Sequence, residues 1–501
     1  MSEEVEIAGV KVPKADWDTT PASIKAVVVV LSERLSAIEE QLKQNSQNSS
    51  RPPSSDGLNK PKAAKAQKAG EQKGKSAHTE SSPRNRRPKL YPIERCQAVH
   101  IHVPQVCQHC GEALTGRDEA PKRHQIVEIP VIEPQVIEHH LHQLECDCCG
   151  HKTRALLPPE VTTTGYGDRL AAVIGWLSGE HRQSHRMVQS LLKTLVGVEI
   201  SRGSINRIRQ QVSEAIAHPV EQAHRHVQGQ EFIHSDETSF VQGNGDGQNA
   251  DGSQGWLWVL VSPLVMVFAV VLSRSQETAK QLIGEAFKGI LISDRYSAYG
   301  WVEQSVRQVC WAHLKRDFTA MAQRSGVSKE IGEALLLRER RLFHWWHRVR
   351  DGTLTREQFI AAVEHLRSGF KAELEAAASL PIGQHEKSPL AKTVRTTREL
   401  LKLEAALWTF VYRPGIEPTN NAAERALRSA VIWRRTSFGS QSQAGSDFVA
   451  RILTVVTSLK AQQRNPVDYL AEACLAYRLG LDPPSIVPEH SQISPVFPVA
   501  A

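Results

Sequence analysis

At 501 residues the chain is long enough for several domains, and 40% apolar content supplies real cores once a polar stretch near the start is set aside. A formal charge of +7 is modest for that length, so a uniformly basic chain is excluded and the placement of charge matters more than its total. The longest apolar run, residues 256–272, covers 17 positions and is broken by Ser262-Pro263, too short and interrupted for a membrane span.

Taken in order, residues 1–20 read as a disordered N-terminus. Ile24, Val28, Leu31, Leu35, Ile38 and Leu42 then recur at four and three, a heptad seam flanked by Glu33, Arg34, Glu39 and Glu40. This predicts a short coiled coil over 21–44 that pairs copies of the chain; a single amphipathic helix docked on the protein is the alternative. Residues 45–95 turn to Asn, Ser, Gln, Pro and Lys, with ten Lys/Arg against Glu71 and Glu80 between Lys60 and Lys89. Such a segment cannot bury enough apolar surface to fold alone, and reads as a solvated linker or as a basic arm tracking phosphates.

Over 96–160 two Cys-x-x-Cys pairs occur, Cys107/Cys110 and Cys146/Cys149, each followed by a glycine, Gly111 and Gly150. No secretory signal precedes them, so a reducing cytoplasm is expected, where clustered cysteines bind metal more often than they form disulfides. The pattern predicts a structural Zn²⁺ held by four thiolates. Cys148 competes with Cys149 as the ligand, and His109, His139, His140 and His151 are substitutes. Gln125–Ile129 and Gln135–Leu144 alternate well enough to predict a hairpin, making the module a zinc ribbon. From 161 to 228 the periodicity is helical. A turn at Gly197–Ser201 before a helix carrying Asn206, Arg207 and Arg209 is similar to a helix-turn-helix DNA reader, with a plain helical packing domain as the alternative.

Residues 229–318 predict the first part of an α/β core. Asp236 is placed at the end of a first strand, 256–272 forms a hairpin, and Asp294 closes the short apolar run from Gly289. Val306–Cys310 fits a further strand, and Trp311 opens a helix. Residues 319–412 read as a helical insertion, 413–465 as the last part of the core with Glu424 on a helix, and 466–501 as a tail. In-line displacement at a phosphodiester needs cations on the attacking and leaving oxygens, and Mg²⁺ or Mn²⁺ prefers carboxylate oxygens. Three acids on matched elements suit that chemistry. Taken singly, Asp236 and Asp294 also read as strand-end turn residues, and Asn421–Glu424 has the spacing of a capping box. Arg295, His313, Lys315, Arg316, Arg425, Arg428, Arg434 and Arg435 are candidates to meet DNA phosphates, or form solvated faces. Trp301 and Trp433 read as buried, with base stacking the other option.

Asn48–Asp56 after a short zipper, the paired Cys motifs, His234–Thr238, Ser293–Tyr299, Cys310–Phe318 and Asn420–Arg428 together resemble the transposases of the insertion-sequence-66 family. The resemblance covers nearly the whole chain. It implies a DDE-type catalytic domain of RNase H-like fold, with Asp236, Asp294 and Glu424 as the metal-binding triad. It implies metal-dependent strand cleavage and 3′-hydroxyl strand transfer at the ends of a mobile element, in a bacterial, nucleoid-associated setting. DNA is then the partner, with the chain a homo-oligomer and small accessory transposition proteins beside it. The extra Cys148 and the distance between the two Cys pairs depart from the family pattern. A transposase-derived regulator that binds without cutting, or a nuclease without strand transfer, is the alternative activity.

Overall fold

The computed structural model describes residues 4–7, 10–44, 48 and 90–488. Most of the expected basic linker therefore lies outside the described residues, as do residues 489–501. The chain divides into two units, Asn59–Pro134 and a larger one formed by Met1–Leu58 with Gln135–Ala501.

The expected disordered N-terminus is instead a small ordered element. Strands β1 (Glu4–Ile7) and β2 (Val10–Pro13) pair antiparallel, Glu4 opposite Pro13, and lead into helix α1 (Lys14–Thr19). The alternation of Val5 and Ile7, then Val10 and Val12, with charged residues is a period-2 pattern that outweighs the polar composition. Helix α2 (Ala22–Lys43) follows, and Ile24, Leu31, Leu35 and Ile38 on its seam are 51–57% exposed.

In the smaller unit, Cys107 opens a turn in which its N–H donates to Glu112 O and its carbonyl accepts from Gly111, whose φ is +79°. The larger unit repeats the device between β3 (Gln143–Glu145) and β4 (Lys152–Arg154): Cys146 donates to His151 O and accepts from Gly150, φ +68°. The hairpin thus surrounds the second Cys pair, and residues 121–142 form no strand, contrary to the sequence reading. Prolines 121, 130 and 134 deprive that alternating stretch of ladder donors.

Four helices come next: α3 (Asp168–Gly179), α4 (His185–Val196), α5 (Arg202–Ala215) and α6 (Ala217–Gln228). Ser184 caps α4 by accepting from Met187 N, Gly197 ends it at φ +69°, and Ser201 caps α5 by accepting from Ser204 N. A five-stranded sheet then forms from β5 (Phe232–Ser239), β6 (Trp256–Val261), β7 (Met266–Val271), β8 (Ile290–Ser293) and β9 (Arg307–Val309), with α7 (Gln276–Ile283) between β7 and β8. Its order is β7-β6-β5-β8-β9; the first three strands are antiparallel, and β5, β8 and β9 are parallel.

After β9 the chain is helical: α8 (Trp311–Ala322), α9 (Val327–Arg350), α10 (Arg356–Ala378), α11 (Pro389–Lys402), α12 (Thr409–Tyr412), α13 (Asn421–Ser437), α14 (Gln443–Ala461) and α15 (Pro466–Leu479). The insertion packs around an aromatic knot of Trp311, Phe370 and Trp408, ring centroids 5.2–5.6 Å apart.

The helices over 161–228 are not a separate body. Ile174, Ile208 and Val212 share one core with the sheet residues Val259 and Phe268, with Ile452 and Val456 of α14, and with Leu470 of α15. At Gly179 a side-chain carbon would lie 2.4 Å from Ile452, so only glycine lets α3 approach α14 this closely. The expected tail likewise begins with a docked helix: Tyr469, Leu470 and Ala473 are buried, and Arg478 pairs with Asp168 at 2.6 Å.

Candidate active site

Parallel pairing of β5 with β8 runs Phe232–Ile290, Ile233–Leu291, His234–Ile292 and then stops. Asp236 lies two residues beyond, and Asp294 immediately follows β8, so both acids leave the same edge of adjacent strands. Asp236 is not at a strand end, as expected, but the fifth residue of eight, because β6 goes on pairing with β5 as far as Ser239–Trp256.

Glu424 arrives from elsewhere, on the first turn of α13. Asn420 fixes that helix start. Its Nδ2 donates to Ser235 O at 2.8 Å, its Oδ1 lies 3.1 Å from His234 Nδ1, and its backbone N–H donates to Cys310 Sγ. The capping box suggested by Asn421–Glu424 is not formed: Asn420 is the N-cap residue and makes no side-chain cap bond. The Glu424 carboxylate is therefore left to the site.

The electrostatics register the convergence. Burial raises the Asp236 carboxyl well above the usual range, and the charges of Glu237, Asp294 and Glu424 raise it further. Glu424 Oε1 is buried without a hydrogen-bond partner, 3.7 Å from His313 Nδ1, which is also unpartnered. Arg316 lies 3.7 Å from the other oxygen. A cavity of about 380 Å³ opens here, lined by Asp294, Arg295, His313, Arg316 and Asp317 among others. Ligand atoms of Cys310, His313 and Glu424 lie within 4.8 Å of one another. Burial pushes the Cys310 thiol up to about 12, so it stays protonated at neutral pH and is a poor ligand. Mutually repelling carboxylates with an orphaned oxygen are a donor set that fits a hard divalent cation.

The other expected site residues are distributed unevenly. Arg295 is tied to Asp317 at 2.8 Å, and Lys315 is held at 3.0 Å by the buried Glu339. Arg434 donates to Ser239 O and to the Thr238 hydroxyl, bracing α13 on β5. Arg425, Arg428 and Arg435 are exposed on α13, as are Asn206 and Arg207 on α5. Arg209 corrects the sequence reading: its guanidinium lies 4.3 Å over the Phe448 ring and beside His185, turned into the body instead of toward a groove. Trp433 is buried against Phe448, and Trp301 is half-buried. Asn420, Glu237, Arg274 and Tyr299 were missed as candidates. Asn420 sits inside a motif that carries an acid, whereas nothing in the local sequence marks Arg274.

The chain belongs to the Transposase IS66 family, whose model matches residues 166–447 and so includes all three acids. Residues 4–85 match a second family, one of unknown function. Among curated proteins the chain is similar to two from Sinorhizobium fredii. One is the uncharacterized protein y4hP, 24% identical over 433 residues, 77% of this chain and 73% of the relative. The other, y4qI, is 25% identical over 427 residues, 78% and 74% respectively. Membership makes DNA the partner. No helix among the described residues is long and apolar enough to cross a membrane.

Proposed function

We propose that the chain is a DDE transposase of RNase H-like fold that cuts and joins DNA at the ends of its own mobile element. The observation that carries this reading is the meeting of Asp236, Asp294 and Glu424, felt in the raised carboxyl of Asp236 and the orphaned oxygen of Glu424. The sheet order β7-β6-β5-β8-β9 supports the fold assignment. These acids would hold divalent cations, Mg²⁺ or Mn²⁺, which when bound stabilise charge on the attacking and leaving oxygens. The chain's own part is positional. Arg425 and Arg428, exposed on the helix that carries Glu424, hold backbone phosphates, while β5 and β8 fix the two aspartates relative to one another. In cleavage a water oxygen forms a bond to phosphorus and the P–O3′ bond breaks, leaving a 3′-hydroxyl. In transfer that hydroxyl attacks a target phosphodiester, so one such bond is made for each one broken.

The N-terminal part assembles the machine in this reading. The exposed seam of α2 pairs with that of a second copy. Each Cys pair, Cys107 with Cys110 and Cys146 with Cys149, offers its thiolates to structural Zn²⁺, supported by the identical turn each pair closes. In that turn Cys149 occupies the place of Cys110, one residue before the left-handed glycine, and Cys148 does not. Metal analysis checks this: Cys149→Ser loses bound zinc while Cys148→Ser keeps it. Small accessory proteins remain partners implied by resemblance.

The test is cleavage and joining of a labelled element end by the full chain in Mg²⁺, beside Asp294→Asn. The wild type should cut and join, and the variant should bind the same DNA without doing either. Equal binding with no cutting by both proteins, even with accessory proteins added, would favour a regulator that binds DNA only.

A further inference from the structure

Three arginines stand in the wall of the cavity, each held by a different acid. Arg295 is paired with Asp317 and Arg316 lies near Glu424, but Arg274 is held by Glu237, an acid outside the triad. Arg274 arrives just beyond β7. Its Nε and Nη2 donate to Glu237 Oε1 at 2.9 and 2.6 Å, and the Tyr299 hydroxyl donates to the other carboxylate oxygen. The guanidinium lies 3.7 Å over the Tyr296 ring and 4.7 Å over that of Trp256. Tyr296 links this assembly to the triad: its hydroxyl donates to Arg274 O, and its backbone N–H donates to Asp294 Oδ1, both at 2.8 Å.

Simple neutralisation of a buried acid would need no opening on the cavity. Yet Glu237 is 1% exposed while Arg274 is 32% exposed and lines the cavity beside Asp294. Glu237 takes two donors from one side of the fork, and Nη1 donates to nothing among the described residues. A planar guanidinium packed against two aromatic rings, with one edge free, is a preorganised donor for a phosphoryl oxygen.

We propose that Arg274 is a catalytic residue whose free edge meets a non-bridging oxygen of the scissile phosphate, and that Glu237 is the positioning residue that aims it. This rests on the transposase reading of the site. Negative charge spreads over the non-bridging oxygens as the water oxygen bonds to phosphorus and the P–O3′ pair departs. Arg274 donates a hydrogen bond to that charge and gives up no proton. Tyr296 ties the position of the guanidinium to that of Asp294, so phosphate and cation sites are set by one assembly.

The test uses the full chain and a duplex carrying the end of its own element, with a single sulfur in one or the other non-bridging position of the scissile phosphate. Single-turnover cleavage is compared in Mg²⁺ and Mn²⁺. For one diastereomer the wild type should be slowed in a way that Mn²⁺ does not relieve. Arg274→Ala should cut all-oxygen DNA about 100-fold more slowly, and for it that sulfur should make no further difference. Arg274→Lys and Glu237→Gln, the milder changes should Arg274→Ala fail to fold, should reduce the sulfur effect while binding DNA normally. Variants that are slow yet keep the wild-type sulfur ratio would overturn the role of Arg274 and leave the transposase reading standing. Failure of the wild type to cut natural DNA in either metal, with accessory proteins added as well, would sink the transposase reading itself, and the inference with it.

Discussion

Asp236 shows what one residue endures when a site is assembled from like charges. Its carboxyl titrates above its unfolded value of 3.8, chiefly through burial and then through neighbouring acids, so its ionisation opposes the fold. That contribution to stability is complete below about pH 4 and is lost as pH rises through the raised folded value. In EDTA at pH 8, Asp236→Asn should therefore melt higher than the wild type, and the gap should close as pH falls toward 4. Adding Mg²⁺ should raise the wild-type melting temperature and leave the variant's nearly unchanged. The elements that carry the three acids were legible in the sequence: Asp294 follows a short apolar run, Glu424 lies in the first turn of a helix, and Asp236, expected at a strand end, lies inside a strand of plain pattern. Their supports were not. Arg274 and Glu237 meet only because β7 and β5 are both paired to β6, and Arg209 turned inward because Phe448, more than 200 positions away, supplies a ring for it.

At the scale of elements, α13 is the piece whose placement matters most. It carries Glu424 on one face and buries Ala423, Leu427, Ala430 and Trp433 on another, yet its start is fixed by one side chain, Asn420. Asn420→Ala leaves Ser235 O and His234 short of partners in a buried place, which costs about 2–3 kcal/mol. The midpoint of urea unfolding should drop accordingly, and cleavage should fall further than stability alone explains, since the helix start is free to shift. Strands β5 to β9, the helices of the 319–412 insertion and α13 follow patterns plain in the sequence, whereas α15 falls in the stretch read as a tail. The hairpin over 125–144 was misread because alternation was weighed above the prolines that interrupt it. The N-terminal hairpin was missed for the opposite reason, its alternation being short and set among charges.

For the molecule as a whole, the domain borders were the least legible part. Periodicity marks where helices are, but not that α3 and α5 complete a core with α14 and α15, because that requires knowing which apolar faces meet. Assembly of copies belongs to this scale too. Leu31 and Leu35 are exposed on α2, and placing lysine at both should convert an oligomer to a monomer in light scattering, with joining of paired ends lost and binding of a single end kept.

That shared core also sets a timetable for synthesis. Helix α3 leaves the ribosome early and can pack on α5, but the cover that α14 and α15 give it, Ile452 against Gly179 included, comes only when they have been made, roughly 300 residues later. At elongation rates of roughly 5–20 residues per second the wait is about 15–60 s, during which a half-covered helix is open to chaperones and to proteases. A premature stop anywhere between Glu424 and Leu479 would yield a chain that has all three acids and no closed body to hold them. Decaying copies of such a gene therefore lose the fold from the far end, and a silent copy can keep the codons of all three acids intact.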